Sequence, residues 1–450
     1  MNDPFSLSLG NHQRYSKRRR RYTVAPFELH SSQRLRHMLV LGKSGMGKST
    51  ALTNYALSDI RKGLGCLYID PHHDDAENLL ELIPPWRRKD VIYFNPAEFP
   101  VSFNVLDNVP TSDYALAASF ILDTIKTIWH LDDAPNVDMF VQASIVALLE
   151  RGNSTLLGLN YILDTPEYRK QVIRYIGDPV VRHFWERTFD EHMTDREQRD
   201  RTLSTINKVF TLIVDPAIRH VVGQKKSAFN FADVLRKNQI VIISVPHGRL
   251  GIKKASIIVG FLLANFHVAA LQRPKESRTL YPLYLNEAHH FINETILESL
   301  TGLRKFGIAI CLSHQSLRQI YDRDLRAALV DAIGAIVAFR LGPNDAEELS
   351  HIFLKTKADD LIGLRPHQAL ADNGNTTTAL TMPDLPRRRS PGGAAAIRRN
   401  CRHLYGRPLA EIETEIGAFM ASLTPTIRRG KRGKTQPDVP GETPPEALNE

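Results

Sequence analysis

The run Gly42-Lys43-Ser44-Gly45-Met46-Gly47-Lys48-Ser49 constrains this chain more than any other segment. It follows His37-Met38-Leu39-Val40-Leu41, a short apolar run of strand type, and precedes a stretch with helical spacing at Leu52, Ala56, Leu57 and Ile60. Strand, glycine-rich turn and helix form the context of a phosphate-binding loop. Gly42, Gly45 and Gly47 let the backbone curl until successive N–H groups face one anion, and the helix dipole behind them adds to the attraction. The backbone from Gly42 to Thr50 would hold the phosphates. Lys48 would reach the β- and γ-phosphates and the Ser49 hydroxyl would hold Mg2+. The pattern implies a nucleotide ligand.

Composition sets looser bounds. With 450 residues, the chain can form one large domain or a core carrying an insertion. Hydrophobic residues make up 42% and charged residues 24%, an ordinary globular balance. A net charge of +9 permits a polyanionic partner without requiring one. Cys66, Cys311 and Cys401 lie far apart without metal-ligand spacing, which points to a reducing, cytoplasmic setting. The first residues are polar and basic and show no secretory signal. Ala255 to Gln272 carries no formal charge and approaches bilayer-spanning length. Its Ser256, Asn265 and His267, and its place between two strands, favour a buried helix.

Four segments are expected. Residues 1–30, with the block Lys17-Arg18-Arg19-Arg20-Arg21, read as a basic flexible arm able to touch DNA. Residues 31–107 and 234–382 alternate strand and helix as an α/β core with a mostly parallel sheet. Strands are predicted over 37–41, 65–70, 90–95, 239–245, 280–286, 307–313, 335–340 and 368–372. Several are continuous apolar runs, as in strands covered on both faces. Residues 108–233 lack strand signals and repeat apolar residues at helical spacing, which predicts an all-helical insertion. Residues 383–450 read as an arginine-rich, mostly disordered tail with one short amphipathic helix at Leu409, Ile412, Ile416, Phe419, Met420 and Leu423.

A phosphate loop needs a carboxylate that orders the metal and a group that positions the attacking water. The apolar run 280–285 ends in Asn286-Glu287, which offers Glu287 as general base. Asn286 stands where an aspartate is usual; its carbonyl can accept a hydrogen bond from a metal-bound water but brings no negative charge. Weaker Mg2+ binding and slower hydrolysis are the expectation, with nucleotide binding largely kept. The next strand ends in His314-Gln315, and Gln315 can sense the γ-phosphate. Arg304, beside Lys305, fits either an arginine finger for a neighbouring subunit or a helix C-terminal cap.

The order of these pieces resembles the HerA/FtsK branch of RecA-like ATPases, and within it conjugative coupling proteins of the TraG/TraD type. Asp70-Pro71-His72-His73-Asp74, Asp90 to Pro96, Phe103-Asn104-Val105-Leu106, Asn286 to Phe291, Leu303 to Gly307, Ser313 to Leu317 and Phe339 to Ala346 are similar to successive family elements. The departures are Val105 for proline and Asn286 for the acidic residue. The resemblance implies an ATP-hydrolysing, Mg2+-dependent motor that moves DNA through a hexameric ring. It implies Arg304 as a finger acting in trans and Arg340 as a second interface arginine. Membrane-bound relatives usually carry N-terminal spans, so a cytoplasmic relative is expected, with a relaxase, a nuclease or a membrane-anchoring protein as partner. The competing reading is a slowly hydrolysing nucleotide switch that recruits DNA-processing partners.

Overall fold

A computed structural model describes residues 3–16, 21–129, 135–196, 199–200, 207, 214–387 and 391–423. Its frame is an eleven-stranded sheet: β1 Leu7–Ser16, β2 Arg21–Leu29, β3 Met38–Leu41, β4 Cys66–Asp70, β5 Val91–Phe94, β6 Ile240–Ser244, β7 Tyr281–Leu285, β8 Ile308–His314, β9 Ala335–Ala338, β10 Gln368–Asp372 and β11 Thr377–Thr381. The spatial order is β2-β1-β11-β10-β9-β3-β8-β7-β4-β6-β5. From β9 to β5 every pairing is parallel, and every residue of these strands is buried. Helices cover both faces, so the strands can be continuously apolar. The remaining strands pair antiparallel.

β8 lies between β3 and β7. That order brings the loop after β3, the tip of β8 and the tip of β7 side by side at one edge of the sheet. Parallel strands all end at the same edge, where an open α/β sheet receives its ligands.

The helix Ile252–Leu271 has the length and apolar character of a membrane span, yet it is mostly buried within the fold. It crosses from β6 to β7 and packs on the helix Tyr114–Trp129. Their approach is close: a Cβ on Gly260 would lie 2.4 Å from Thr124 Cγ2. Tyr114–Trp129 therefore joins the core layer, although it opens the segment expected as an insertion. Among the described residues between β5 and β6 there is no strand. Phe140, Phe184, Trp185 and Phe189 form the aromatic centre of the helices in that segment.

Two expectations require correction. The described residues of the expected arm 1–30 are not flexible: β1 and β2 form a hairpin joined to the sheet through β11. Leu7, Leu9 and Leu29 are buried, and Tyr55 Oη donates to the Leu9 carbonyl at 2.9 Å. Three leucines among polar residues anchor the hairpin, too few to stand out as a strand pattern. Of the basic block, Arg21 begins β2, while Lys17, Arg18, Arg19 and Arg20 lie outside the described residues.

The described residues 391–423 of the arginine-rich segment are likewise structured, and 388–390 and 424–450 of the expected tail lie outside the described residues. The helix Gly393–Tyr405 buries Ala394, Ile397 and Cys401, a stripe at spacings of three and four. Cys401 Sγ accepts from the Tyr93 N–H at 3.3 Å, which fastens the helix to β5. Glu81 accepts the N–H groups of Gly392 and Ala394, each at 2.7 Å. Arg398 pairs with Glu77, and Arg407 with Glu415 at 2.8 Å. A second helix, Leu409–Leu423, covers the residues of the amphipathic pattern and sets Ile412 and Ile416 against Leu157.

Candidate active site

The helix Lys48–Arg61 begins directly at the glycine-rich loop, with Gly47 as its N-cap at φ 109°. Gly42 and Gly45 also take positive φ, 152° and 77°, values that L side chains rarely adopt. Gly42 is tightly enclosed, since a Cβ there would lie 2.6 Å from Phe339 Cβ. Neighbouring backbone clamps the loop. Lys43 N–H donates to the Arg340 carbonyl at 2.9 Å, and His367 N–H donates to the Met46 carbonyl at 3.0 Å. Lys43, Ser44 and Gly45 are exposed, whereas Lys48 is buried and its Nζ donates to the Lys43 carbonyl at 3.2 Å. Burial lowers the Lys48 pKa, and the charges of Glu287 and Asp75 pull it back up.

Glu287 stands at the tip of β7 in the left-handed region, φ 46° and ψ 49°. A non-glycine residue held there stores strain of about 1–3 kcal/mol, and such strain concentrates at functional sites. Its side chain is buried, and Gln315 Nε2 donates to Glu287 Oε1 at 3.1 Å. Oε2 has no hydrogen-bond partner. The nearest charged candidate, His289 Nδ1, lies 3.5 Å away. Burial and the neighbouring His247 and His72 push the His289 pKa down to about 4, so at neutral pH its ring is uncharged and the contact is no ion pair.

More imidazoles follow. His289 and His290 have ring centroids 3.9 Å apart, and His290 lies 4.7 Å from His247. His314, at the end of β8, is fully buried with neither ring nitrogen partnered. Burial depresses its pKa to about 3.

Asn286 is fully engaged. Its Oδ1 accepts the Glu287 N–H at 3.1 Å, and its Nδ2 donates to Asp75 Oδ2 at 2.8 Å. The backbone N–H can only donate, so it fixes which end of the amide faces which partner. Asp75 belongs to the helix Asp74–Leu82, which follows β4. Burial and the neighbouring Asp70 raise its pKa to about 6, while the nearby Ser49 hydroxyl acts in the opposite sense.

The structure thus gathers Lys48, Ser49, Asn286, Glu287 and Gln315 at one edge. Arg304 is elsewhere. It is exposed in the turn that precedes β8, so a strand of roughly 20 Å separates it from Gln315. Arg340 touches the phosphate loop through its backbone, and its Nε donates to the Leu364 carbonyl at 2.6 Å.

Sequence reading missed Phe339 and His367 as walls of the loop, because only folding brings β9 and the turn before β10 beside it. It also missed Asp75, which directly follows the quoted run Asp70 to Asp74. The amide at position 286 was the available signal, since it invites a search for a displaced carboxylate.

Helices on both faces of a parallel sheet, a phosphate loop after one strand, and a carboxylate and a glutamine on the two strands beyond it define a RecA-like phosphate-loop ATPase fold. Solved structures share it. TrwBΔN70, a bacterial conjugative coupling protein in its unbound form, superposes with a TM-score of 0.62 at 15% identity, over 81% of this chain and 88% of that one. The plasmid coupling protein TrwB in complex with a non-hydrolysable ATP analogue gives 0.63 at 16%, over 86% and 97%. VirB4 of Thermoanaerobacter pseudethanolicus gives 0.57 at 14%, over 86% and 98%. The chain has the fold of the conjugative coupling proteins. No family model and no curated protein sequence matches it.

The donors present suit Mg2+ together with a nucleotide. The Ser49 hydroxyl and the Asp75 carboxylate are hard oxygen ligands lying together, and Lys48 stands beside them for phosphate charge. A bound ion would neutralise phosphate charge during transfer. Gln315 would help to hold the attacking water and Glu287 would accept its proton.

Proposed function

We propose that this protein is an ATPase that drives DNA through a ring of its own copies, as a motor of the conjugative type. The observation that carries the hydrolytic part is the contact between Gln315 and Glu287 beside the phosphate loop. A carboxylate with one free oxygen, steadied by an amide, is suited to orienting a water toward a phosphate. Structural similarity to TrwB, known in complex with an ATP analogue and with ADP and Mg2+, supports ATP and Mg2+ as ligands here.

The position of Arg304 supports the ring. A cation one strand length from its own phosphate loop is remote from its own nucleotide, and as a finger it would act on that of a neighbouring copy. DNA is proposed from the likeness to coupling proteins and from the basic sequence Lys17-Arg18-Arg19-Arg20-Arg21. Such contacts to the phosphate backbone would be largely independent of base sequence. The protein would act in the cytoplasm, with a partner recruiting it to the site of transfer.

The test is ATP hydrolysis with and without single- and double-stranded DNA, alongside a mass measurement in solution. DNA-stimulated hydrolysis by an assembly of several copies is the expected result. Hydrolysis indifferent to either form of DNA would sink the motor reading and leave a nucleotide switch.

A further inference from the structure

The strand that carries Glu287 has an amide where this reaction ordinarily employs a carboxylate. We propose that Asp75 supplies the missing negative charge to the Mg2+ shell, and that Asn286 serves as the bracket that holds Asp75 in place. The proposal rests on the reading of the site as a Mg2+–nucleotide site and names the residue that would complete it.

Three observations carry it. Asn286 Nδ2 donates to Asp75 Oδ2 at 2.8 Å, and the other end of the amide is pinned by the Glu287 N–H at 3.1 Å. The bracket is therefore oriented, and its donor end faces the carboxylate. Asp75 also neighbours Ser49, whose hydroxyl favours its charged form and marks the metal position in a phosphate loop. A carboxylate bonded to Asn286 and neighbouring Ser49 stands beside both residues that would flank the ion.

Third, the loop that presents Asp75 is rigidly built. Asp70, fully buried at the end of β4, accepts the His72 N–H through Oδ1 and the Ala76 N–H through Oδ2, each at 2.8 Å. His73 sits at φ 83° with its ring 2.9 Å from Ser244 Oγ. A strained residue locked from both sides over-determines where the next turn begins.

The ordinary explanation of an acidic residue here is interaction with the helix dipole, worth about 0.3–1 kcal/mol. Asp74 and Glu77 occupy the same first turn. Glu77 turns to Arg398 of the helix Gly393–Tyr405, whereas the Asp75 carboxylate accepts from Asn286 at the tip of the strand that carries Glu287. Dipole stabilisation alone does not require that contact.

A shift of the carboxylate from the strand tip to the adjacent helix preserves the chemistry. Mg2+ prefers oxygen donors and keeps several waters, so a carboxylate approaching from either wall can accept hydrogen bonds from that shell. Asn286→Asp in the native background would then place two carboxylates in contact, which disfavours ionisation of both.

The experiment compares full-length wild type, Asp75→Asn, Asn286→Asp and the double exchange Asp75→Asn with Asn286→Asp. Binding of a fluorescent ATP analogue is titrated with Mg2+ and repeated in EDTA, and hydrolysis is measured in parallel. Asp75→Asn is expected to lose roughly 10- to 100-fold in apparent Mg2+ affinity, the usual range for a residue that supports a metal site. Its nucleotide binding in EDTA should match wild type, which also certifies the fold. Asn286→Asp alone should bring no gain in hydrolysis, and the double exchange should recover Mg2+ affinity toward the wild-type value. An Asp75→Asn protein with a wild-type Mg2+ response would overturn the proposal, as would a rise in turnover on Asn286→Asp alone. A wild-type protein whose nucleotide binding ignores Mg2+ would instead overturn the reading of the site as a Mg2+–nucleotide site, and the proposal with it.

Discussion

The two ends of the parallel strands are built on opposite plans. At the end where β3, β7 and β8 finish, buried polar atoms are left open: Glu287 Oε2, Ser313 Oγ and both ring nitrogens of His314 have no partner. At the end where the strands begin, comparable groups are satisfied. His37 Nε2 lies 2.6 Å from the Leu300 carbonyl and its Nδ1 accepts the Ile310 N–H at 3.1 Å. Arg273 donates to the carbonyls of Phe306 and Thr279 at 2.7 and 2.9 Å. Arg34 holds Asp59 through two parallel bonds and also reaches the Phe5 carbonyl. An unmet buried polar group costs about 1–3 kcal/mol. Such a cost is tolerated at an edge that gains a ligand and avoided at an edge that only closes the fold. One end leaves polar groups open and the other closes the fold.

The sharpest way to break this contrast is Glu287→Gln. Loss of the general base should lower hydrolysis by roughly 10²- to 10⁴-fold, while ATP affinity measured by equilibrium binding stays near wild type. Undiminished turnover would remove chemistry from the open end.

Arg304 tests the closed end. If it acts on a neighbour, Arg304→Ala should lower turnover by at least about 10-fold, within the reach of an arginine finger. Mixing it with a Lys48→Ala protein should return part of the activity, because a mixed assembly can pair an intact loop with an intact arginine. The rate of the mixture against each variant alone decides the matter, and no recovery on mixing would reduce Arg304 to a cap.

The smallest expected effect concerns the closed end in acid. Burial lowers the pKa of His37 and of His267 from 6.5 to about 4. The unfolded chain then takes up protons first as pH falls, so the stability these neutral rings contribute is full above about pH 6.5. It declines as pH drops toward 4. Each pKa unit is worth about 1.4 kcal/mol, which sets roughly 3 kcal/mol as the upper bound per ring. Thermal melting should fall steadily from pH 7 to pH 5. His37→Gln, whose side chain can both donate and accept, should flatten that slope; a melting curve equally steep with Gln would show that His37 is not a source of it.

Legibility in the sequence follows the same division. The parallel strands were readable because burial on both faces demands continuous apolar runs, as in Ile240-Val241-Ile242-Ile243. The hairpin of β1 and β2 was not, because an antiparallel flank can expose one face, and Leu7 and Leu9 stand among Ser, Asn, Gln and Arg. The helix Gly393–Tyr405 was hidden in a similar way. Its arginines read as solvated charge, while the buried stripe of Ala394, Ile397 and Cys401 is small and only weakly apolar.

By itself the sequence determined the phosphate loop, the strand that leads into it and the general α/β plan, since each depends on neighbours within a few residues. The tertiary structure alone decided that β8 lies between β3 and β7, that Gln315 meets Glu287, and that Asp75 reaches Asn286 across 211 positions. Those contacts arise from strand order and crossover paths, which local spacing does not encode. The charge missing at position 286 is therefore read from the sequence as a loss, and only in the fold does a carboxylate stand beside it.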